Sequence, residues 1–330
     1  MNLTTKDELL SRFLKANNEP ISGQQLAEEF GMSRTAIWKH LQTLQEEGYT
    51  FETIKKKGYI LTSKPDRVDP ARISSFLKTA RLGKQVHYYD ECTSTQTIAH
   101  ELVRNGVEDG TIVVAESQTE GKGRMARHWE STKGKGIWMT IIIRPKILPH
   151  QAPQFTLIAA VSVVNAIRSL GKSISPEIKW PNDILLNGKK CTGILTEMIA
   201  EMDGVQALLI GIGINVNQKL EDFPDELKDI ATSLAIEADE KIERAELIAA
   251  ILQYLEKYTD VYLKLGFEPI KVLWEEFSGT IGKKIKATTL REVIEGTAIG
   301  ITEDGVLEVK LDNNEIKRIY SADIEIEKPL

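Results

Sequence analysis

The chain has 330 residues, of which 42% are hydrophobic and 27% are charged, and its formal net charge at pH 7 is −6. The length predicts two or three domains, and the composition is that of a soluble globular protein. No apolar run approaches the ~18 residues of a transmembrane helix, and the N-terminal segment lacks the apolar centre of a signal peptide. Two cysteines, Cys92 and Cys191, cannot build a disulfide framework, and no Cys/His spacing suggests zinc. We therefore expect a cytoplasmic protein with reduced thiols, no membrane partner and no metal-ligating residues.

The charge is distributed unevenly along the chain. Residues 1–64 hold nine Lys and Arg against eight Asp and Glu, whereas the other 266 residues hold 33 against 40. Residues 32–64 alone hold six basic against three acidic side chains. Because salt screens charge beyond about 8–10 Å, a locally basic segment of an acidic protein can bind a polyanion.

Residues 1–64 carry the pattern of a winged helix-turn-helix. A short helix ends at Gly31, and Ser33 is a good N-cap for a second helix whose apolar positions recur at helical spacing. Two short strands, 49–54 and 58–62, follow and are joined by three lysines. The second helix is expected to enter a major groove and the lysine turn to meet phosphate. The alternative is a helical protein-interaction module. The candidate DNA-binding residues are Ser33, Arg34, Thr35, Trp38, Lys39, Lys55, Lys56 and Lys57.

A linker is predicted at Ser63–Pro70, where two prolines and several charges interrupt the apolar pattern. The second unit, 71–277, alternates apolar-rich strands with a few long helices, at Gln154–Leu170 and Arg244–Leu265. Asn187-Gly188 predicts a tight hairpin. This order favours an α+β fold over a doubly wound parallel sheet. The third unit, 278–330, has short strands separated by turn residues, which predicts a small β-barrel.

A loop of nearly twenty residues joins the strands predicted at 111–116 and 136–143. It contains Gly121, Gly123 and the basic side chains of Lys122, Arg124 and Arg127. Such long loops in compact domains are usually functional or disordered. The phosphate-loop pattern GxxxxGK[ST] is absent and no helix follows, so neither a P-loop nor a Rossmann turn fits. An anion-binding loop and a solvated surface loop both remain open at this point.

Three further stretches carry candidate functional residues. In "EIKWPNDILL", Lys179 and Trp180 end a strand before a tight turn, which suits either a fixed charge beside a flat surface or a lysine lying over a core tryptophan. "GIGINVN" ends a strand with asparagines that offer both a donor and an acceptor. "ECTSTQT" puts small hydroxyls at a helix start, where a simple N-cap is the alternative.

Together, these stretches resemble the biotin protein ligases. "STQ", "ESQTEGKGRMARHW", "KWPND", "GILTE" and "GIGINVN" occur in the family's order, and the resemblance covers about 80–330. The N-terminal unit makes the chain similar to the bifunctional subset, which combines biotin ligase and biotin-operon repressor. The resemblance implies an α+β multidomain protein with an N-terminal winged helix-turn-helix (1–64), a central mixed-sheet, class II synthetase-like ligase domain (71–277) and a C-terminal SH3-like small β-barrel (278–330).

The resemblance also implies the activity and the partners. ATP and biotin are expected to give biotinyl-5′-AMP, with Mg²⁺ accompanying ATP, and the biotinyl group is expected to pass to a lysine of a carrier domain. The expected carrier is the biotin carboxyl carrier protein of acetyl-CoA carboxylase, with other biotin-dependent carboxylases as further candidates. Biotinyl-AMP is expected to act as corepressor for a homodimer that binds biotin operator DNA.

By the same resemblance, specific residues are assigned roles. Lys179 and Arg124 are the expected catalytic residues. The expected biotin-binding residues are Ser94, Thr95, Gln96, Gln118, Gly121, Lys122, Gly123, Arg124, Lys179 and Gly193. The expected ATP-binding residues are Arg124, Arg127, Trp129, Lys179 and Asn215.

Three positions depart from the family's usual residues. Lys122 replaces an arginine and Ala126 a glycine in the loop, and Gln96 stands where Asn or Ser is commoner. Lysine loses the bidentate fork, so altered release of the intermediate is expected. The alternatives are a non-catalytic biotin-sensing regulator and a ligase for lipoate or octanoate; the intact Lys179 and Arg124 argue against the first.

Overall fold

The computed structural model describes residues 4–16, 18–201 and 204–327. Three units follow one another along the chain: a helical unit with a small hairpin, a central seven-stranded sheet with helices on both faces, and a C-terminal five-stranded sheet. None of the helices in these ranges combines the length and the apolar content that a membrane crossing needs.

The N-terminal unit has the predicted helix-turn-helix and wing. It comprises α1 (Thr5–Lys15), α2 (Gly23–Glu29), α3 (Arg34–Glu46), β1 (Thr50–Ile54) and β2 (Gly58–Ser63), with β1 and β2 antiparallel. Gly31 makes the turn before α3 with a φ of 62°. Ser33 Oγ accepts a hydrogen bond from the backbone N–H of Ala36 at 3.1 Å, which confirms the predicted N-cap.

A separate small core holds this unit together. Ile37, Leu41 and Leu44 of α3 are buried, as their spacing predicts, and they pack in one cluster with Leu9 and Phe13 of α1. The helix α1 was not predicted, although its apolar residues follow helical spacing and Thr4 caps it.

The predicted linker is largely irregular in structure and forms hydrogen bonds to both the first and the central unit. It leads into α4 (Pro70–Phe76), which Asp69 caps through a hydrogen bond from the backbone N–H of Arg72. Tyr49 of the first unit donates to Asp69 at 2.7 Å, and the backbone N–H of Val68 donates to Glu116 of the central unit at 2.9 Å. The linker therefore joins the two units through buried polar contacts.

The central sheet is mixed and mostly antiparallel, which confirms the α+β prediction. Its strands are β3 (Val86–Tyr89), β4 (Ile112–Ala115), β5 (Gly136–Ile143), β6 (Glu177–Lys179), β7 (Asp183–Leu186), β8 (Lys189–Glu201) and β9 (Gly204–Asn215). The strand order is β3-β4-β5-β9-β8-β7-β6, and only the β3–β4 pair is parallel. The parallel pair is joined by α5 (Thr95–Arg104). Asn187-Gly188 forms the predicted hairpin between β7 and β8.

Helices cover both faces of this sheet. On one face, α6 (Gln154–Ser169), α8 (Arg244–Leu265) and α9 (Glu268–Glu276) enclose the main core, with the short α7 (Leu234–Ala238) beside them. On the other face, α5 packs through Ala99 and Val103. The two long helices lie where the sequence predicts them, whereas α9 was not predicted.

The C-terminal unit is an antiparallel sheet of β10 (Lys284–Thr288), β11 (Val293–Ile301), β12 (Leu307–Lys310), β13 (Ile316–Ile319) and β14 (Asp323–Ile326). The strand order is β13-β12-β11-β10-β14, and no pairing joins β13 to β14 among the described residues. The described strands therefore form an open antiparallel sheet, and the predicted small barrel is not seen as a closed ring. Its buried face joins the main core.

Candidate active site and DNA-binding face

A cavity of approximately 1100 Å³ lies between the ends of the central strands, the glycine-rich loop and β14. It brings together residues from widely separated parts of the sequence, from Ser94 to Glu327. Of the residues expected to bind biotin or ATP, these line it: Ser94, Thr95, Gln96, Gln118, Lys122, Gly123, Arg124, Arg127, Trp129, Lys179, Gly193 and Asn215. Gly121 does not. Its carbonyl accepts a hydrogen bond from the backbone N–H of Trp129 at 2.9 Å, so Gly121 holds the loop backbone in place without lining the cavity.

Hydroxyl and amide groups form one end of the cavity. Ser94 occupies the N-cap position of α5, but its side chain makes no capping hydrogen bond, so the simple N-cap alternative does not account for it. Gln118 Oε1 accepts from the backbone N–H of Thr95 at 2.8 Å and lies 3.1 Å from Thr95 Oγ1. Gln118 Nε2 donates to Ser131 at 2.8 Å. This end offers several fixed hydrogen-bonding groups to a polar ring.

The indole ring of Trp129 packs against two glycines of the central sheet. Gly193 of β8 and Gly213 of β9 are paired across the sheet. A Cβ at Gly213 would lie 2.5 Å from Trp129 Nε1, and one at Gly193 would lie 2.7 Å from the same ring. The indole therefore rests directly on the backbone of both strands. Lys190, which the sequence analysis did not select, places its ammonium 5.3 Å from the ring centroid.

Lys179 ends β6 with its side chain in the cavity. Burial lowers the pKa of its ammonium below the ordinary lysine value, and the nearby Asp183 carboxylate partly opposes this. Asp183 itself pairs with Lys190 at 2.7 Å. Trp180 does not line the cavity but is buried, and its Nε1 donates to the carbonyl of Gly305 at 3.2 Å. The expectation of a flat surface beside the lysine is therefore wrong for Trp180; the alternative of a core tryptophan is correct.

The basic loop lies over the cavity and contacts the C-terminal sheet. Arg124 donates to Asn182 Oδ1 at 3.0 Å and to Ser321 Oγ at 2.9 Å, while Arg127 forms an ion pair with Asp323. Burial lowers the pKa of Arg124, and the carboxylates of Asp183 and Asp323 oppose the shift. The loop arginines were predicted as site residues, whereas none of their partners was. Asn182 stood in the quoted KWPND string, whereas nothing near Ser321 or Asp323 in the sequence signalled a contact.

The asparagine and the loop lysine are engaged by neighbours within the chain. Asn215 lines the cavity while its Nδ2 donates to the carbonyl of Thr232 at 3.1 Å. Lys122 donates to Thr97 Oγ1 on α5 at 2.9 Å. The loop therefore contacts α5 on one side and the C-terminal sheet on the other.

The candidate DNA-binding residues form an exposed face on α3 and the wing. Arg34, Thr35 and Lys39 are exposed, and Trp38 is 47% exposed, which is unusual for so large an apolar side chain. The wing residues Lys55–Lys57 are exposed at the tip of the β1–β2 hairpin. Ser33 is exposed at the start of α3, where its hydroxyl serves as the N-cap.

Three family models match the chain in the order of the structural units. The HTH domain matches residues 7–60, the Biotin/lipoate A/B protein ligase family matches 88–215, and the Biotin protein ligase C terminal domain matches 280–326. The bifunctional ligase/repressor BirA of Bacillus subtilis is 51% identical over 99% of this chain and 100% of its own length. The chain belongs to the bifunctional biotin ligase/repressor family.

More distant relatives agree with this assignment. The bifunctional ligase/repressor BirA of Escherichia coli is 28% identical over 91% of each chain. The structure of the biotin protein ligase from Aquifex aeolicus in complex with biotin and ATP superposes with a TM-score of 0.65 at 29% identity, covering 74% of this chain and all of that one. The helix-turn-helix unit and the ligase unit are thus the two working parts of a ligase/repressor.

Within this family member, the loop position Ala126 has an unusual backbone. Met125 and Ala126 have φ values of 54° and 58°, so two consecutive residues other than glycine are left-handed. Each such residue costs about 1–2 kcal/mol relative to a right-handed backbone. Alanine at this position, compared with glycine, therefore adds strain to the loop conformation that covers the cavity.

Proposed function

We propose that the cavity joins biotin to ATP to form biotinyl-5′-AMP and that the chain then transfers the biotinyl group to a carrier lysine. The observation that carries this proposal is one cavity whose lining combines the fixed hydrogen-bonding groups around Thr95 and Gln118 with the cations of Lys179 and Arg124. The polar groups suit the ureido ring, and the cations suit a carboxylate and phosphates. Family membership supports the same activity.

The first half-reaction joins two anions. A biotin carboxylate oxygen attacks the α-phosphorus of ATP, the bond to the bridging oxygen breaks, and pyrophosphate leaves. Lys179 and Arg124 offset the negative charge that accumulates at the phosphorus, and partial burial of both groups strengthens this effect relative to water. Arg127, Trp129 and Asn215 hold the nucleotide.

In the proposed biotin subsite, Ser94, Thr95 and Gln118 bond the ring. Gln96, Gly121, Lys122, Gly123 and Gly193 shape the subsite, with Gly121 acting through the loop backbone. The adenylate must be kept from water and then offered to the carrier. The loop over the cavity shields the adenylate from water. The Arg127–Asp323 pair is 65% and 40% exposed, so its opening costs at most about 1 kcal/mol, which suits a loop that must also open.

We propose that Mg²⁺ enters with ATP and is held mainly by phosphate oxygens. In the described ranges, no three His, Cys, Asp or Glu side chains gather as a metal site. The cavity carboxylates of Asp183 and Asp323 are paired with Lys190 and Arg127. These residues fit a cation carried by the nucleotide better than a dedicated carboxylate cage.

For the repressor role, we propose a homodimer that places α3 and the lysine wing on biotin operator DNA when biotinyl-AMP is bound. The exposed Trp38 and the three wing lysines support this proposal. A gel-shift series on biotin-operon DNA tests it. Biotin with ATP is expected to increase the shifted fraction in wild type, and binding that ignores both ligands contradicts the proposal.

We propose domain borders at 1–64, 71–277 and 278–330, a class II synthetase-like grouping for the central domain, and an SH3-like, partly open barrel for the C-terminal unit. A register shift between Ala298 and Gly300 supports the barrel, because it bends β11 between its β10 and β12 partners. A cytoplasmic location is also proposed, since both cysteines are buried and free.

Mass spectrometry of a biotin-accepting carrier domain tests the proposed ligase activity. A purified carrier domain with its target lysine is incubated with biotin, ATP and the chain, and the expected product carries one biotinyl group. Lys179→Ala is expected to give none. The control is Lys172→Ala, because Lys172 pairs with Glu240 at 2.7 Å outside the cavity. Biotin binding without transfer by wild type would favour the non-catalytic sensor.

A further inference from the structure

A row of buried polar side chains runs along the wall of the cavity from Thr95 to Thr140 and Gln96, all three of which line it. Thr140, in the middle of β5, places its Oγ1 2.9 Å from Thr95 Oγ1 and 3.0 Å from Gln96 Oε1. Thr95 in turn lies 3.1 Å from Gln118 Oε1. Thr140 is completely buried, and Thr95 and Gln96 are 4% and 3% exposed. Buried polar groups of this kind must satisfy one another or a ligand.

The orientation of the Gln96 carboxamide is fixed. Its Nε2 donates to the carbonyl of Leu209 at 3.3 Å, so its Oε1 faces Thr140. The same oxygen lies against the backbone of Gly211, where an added Cβ would approach it to 2.7 Å. The reversed amide would place two acceptors, Oε1 and the Leu209 carbonyl, against each other.

One of the three oxygen-to-oxygen contacts must lack a proton, and we assign this to the longest, Thr95 Oγ1 to Gln118 Oε1 at 3.1 Å. Thr95 and Thr140 supply two hydroxyl protons for three oxygen-to-oxygen contacts. Gln96 Oε1 needs the proton of Thr140, and Thr140 Oγ1 then accepts from Thr95. Gln118 Oε1 has no need of the Thr95 hydroxyl because it already accepts the backbone N–H of Thr95 at 2.8 Å. In this arrangement, Thr95 turns its proton away from the cavity.

We propose that Gln96 and Thr140 are positioning residues that hold the Thr95 hydroxyl as an acceptor toward the cavity. Thr95 Oγ1 and Gln118 Oε1 then present lone pairs side by side, which selects a ligand ring that carries N–H donors. The ureido ring of biotin has two such groups. The proposal rests on the proposed function, since it concerns the biotin subsite, and it assigns to Gln96 an action through Thr140.

Two variants break the row at different points. Thr140→Val removes the acceptor for the Thr95 proton, which then turns to Gln118 and occupies the lone pair that the ligand would use. Gln96→Met leaves Thr140 intact but frees its proton to turn toward Thr95, with the same result. Each variant is expected to raise the biotin KM by about 10-fold or more in pyrophosphate exchange, because a ligand N–H loses its acceptor. The ATP KM is expected to stay unchanged.

Two matched variants control for packing. Thr140→Ser keeps the hydroxyl and is expected to retain a biotin KM close to that of wild type. Thr259→Val makes the same replacement at a buried threonine of α8 outside the cavity, whose hydroxyl has no hydrogen-bond partner within the described chain. It is expected to leave the biotin KM unchanged.

The decisive measurement uses biotin analogues in which one or the other ureido N–H is replaced by oxygen. Wild type is expected to bind at least one of them about 10-fold more weakly than biotin. Thr140→Val and Gln96→Met are expected to lose this discrimination. The positioning proposal is overturned if wild type exchanges pyrophosphate with biotin but the two variants keep its biotin KM or its discrimination. A wild-type chain without biotin-dependent exchange overturns the proposed function as well.

Discussion

Replacing Ala126 by glycine tests how the loop retains the adenylate. Ala126 has a φ of 58° in the conformation that covers the cavity. Glycine removes a penalty of about 1–2 kcal/mol from that conformation. Glycine also increases the conformational entropy of the open loop, which opposes closure by about 0.4–1 kcal/mol. The difference favours the covered state by about 1 kcal/mol, which corresponds to about 5-fold slower release of biotinyl-AMP.

The assay measures the release of preformed biotinyl-AMP from wild type, Ala126→Gly and a control. The control is Ala80→Gly, because Ala80 lies in an exposed loop away from the cavity and its φ is not positive. This variant is expected to release the adenylate at the wild-type rate. Equal or faster release from Ala126→Gly would refute the argument that left-handed strain at this position limits closure.

Further predictions concern charge, packing and DNA. Burial lowers the pKa of Lys179, so kcat/KM for exchange is expected to fall as pH rises through this lowered pKa. The Lys179→Arg variant is expected to be slower at every pH. Because its guanidinium stays protonated, its kcat/KM should not show this alkaline fall. Gly213→Ala displaces Trp129 and is expected to weaken ATP binding about 5- to 150-fold by calorimetry. Replacing Lys55–Lys57 by glutamine is expected to flatten the logarithmic salt dependence of operator binding, measured by titration at several salt concentrations. The slope should fall by about 1 for each phosphate that a wing lysine no longer neutralises, with exchange unchanged.

The sequence predicted local structure well where a cap and an apolar pattern agreed. Ser33 and the spacing of Ile37, Leu41 and Leu44 defined α3, and Asn187-Gly188 defined a hairpin, because each depends on neighbours within a few residues. The same kind of signal was present for α1 and was overlooked. α9 follows α8 so closely that one apolar region contains both helices.

Site residues could be predicted only where neighbouring residues form a motif in one continuous stretch of sequence. Arg127 and Asp323 are 196 residues apart, so their pairing depends on how the C-terminal sheet packs against the central one. Thr140 lies in a strand that is buried along its whole length, and a lone threonine there is typical of the core. Only the fold shows that it contacts Thr95 in the wall of the cavity.

The most direct test of this account is biotin-dependent exchange between ATP and pyrophosphate on the purified chain, with lipoate and Lys179→Ala as controls. It needs neither a carrier nor DNA, so it isolates adenylation. Exchange with biotin, none with lipoate, and loss in the variant is the predicted result. Biotin binding without exchange would contradict the assignment of adenylation to Lys179 and the loop over this cavity.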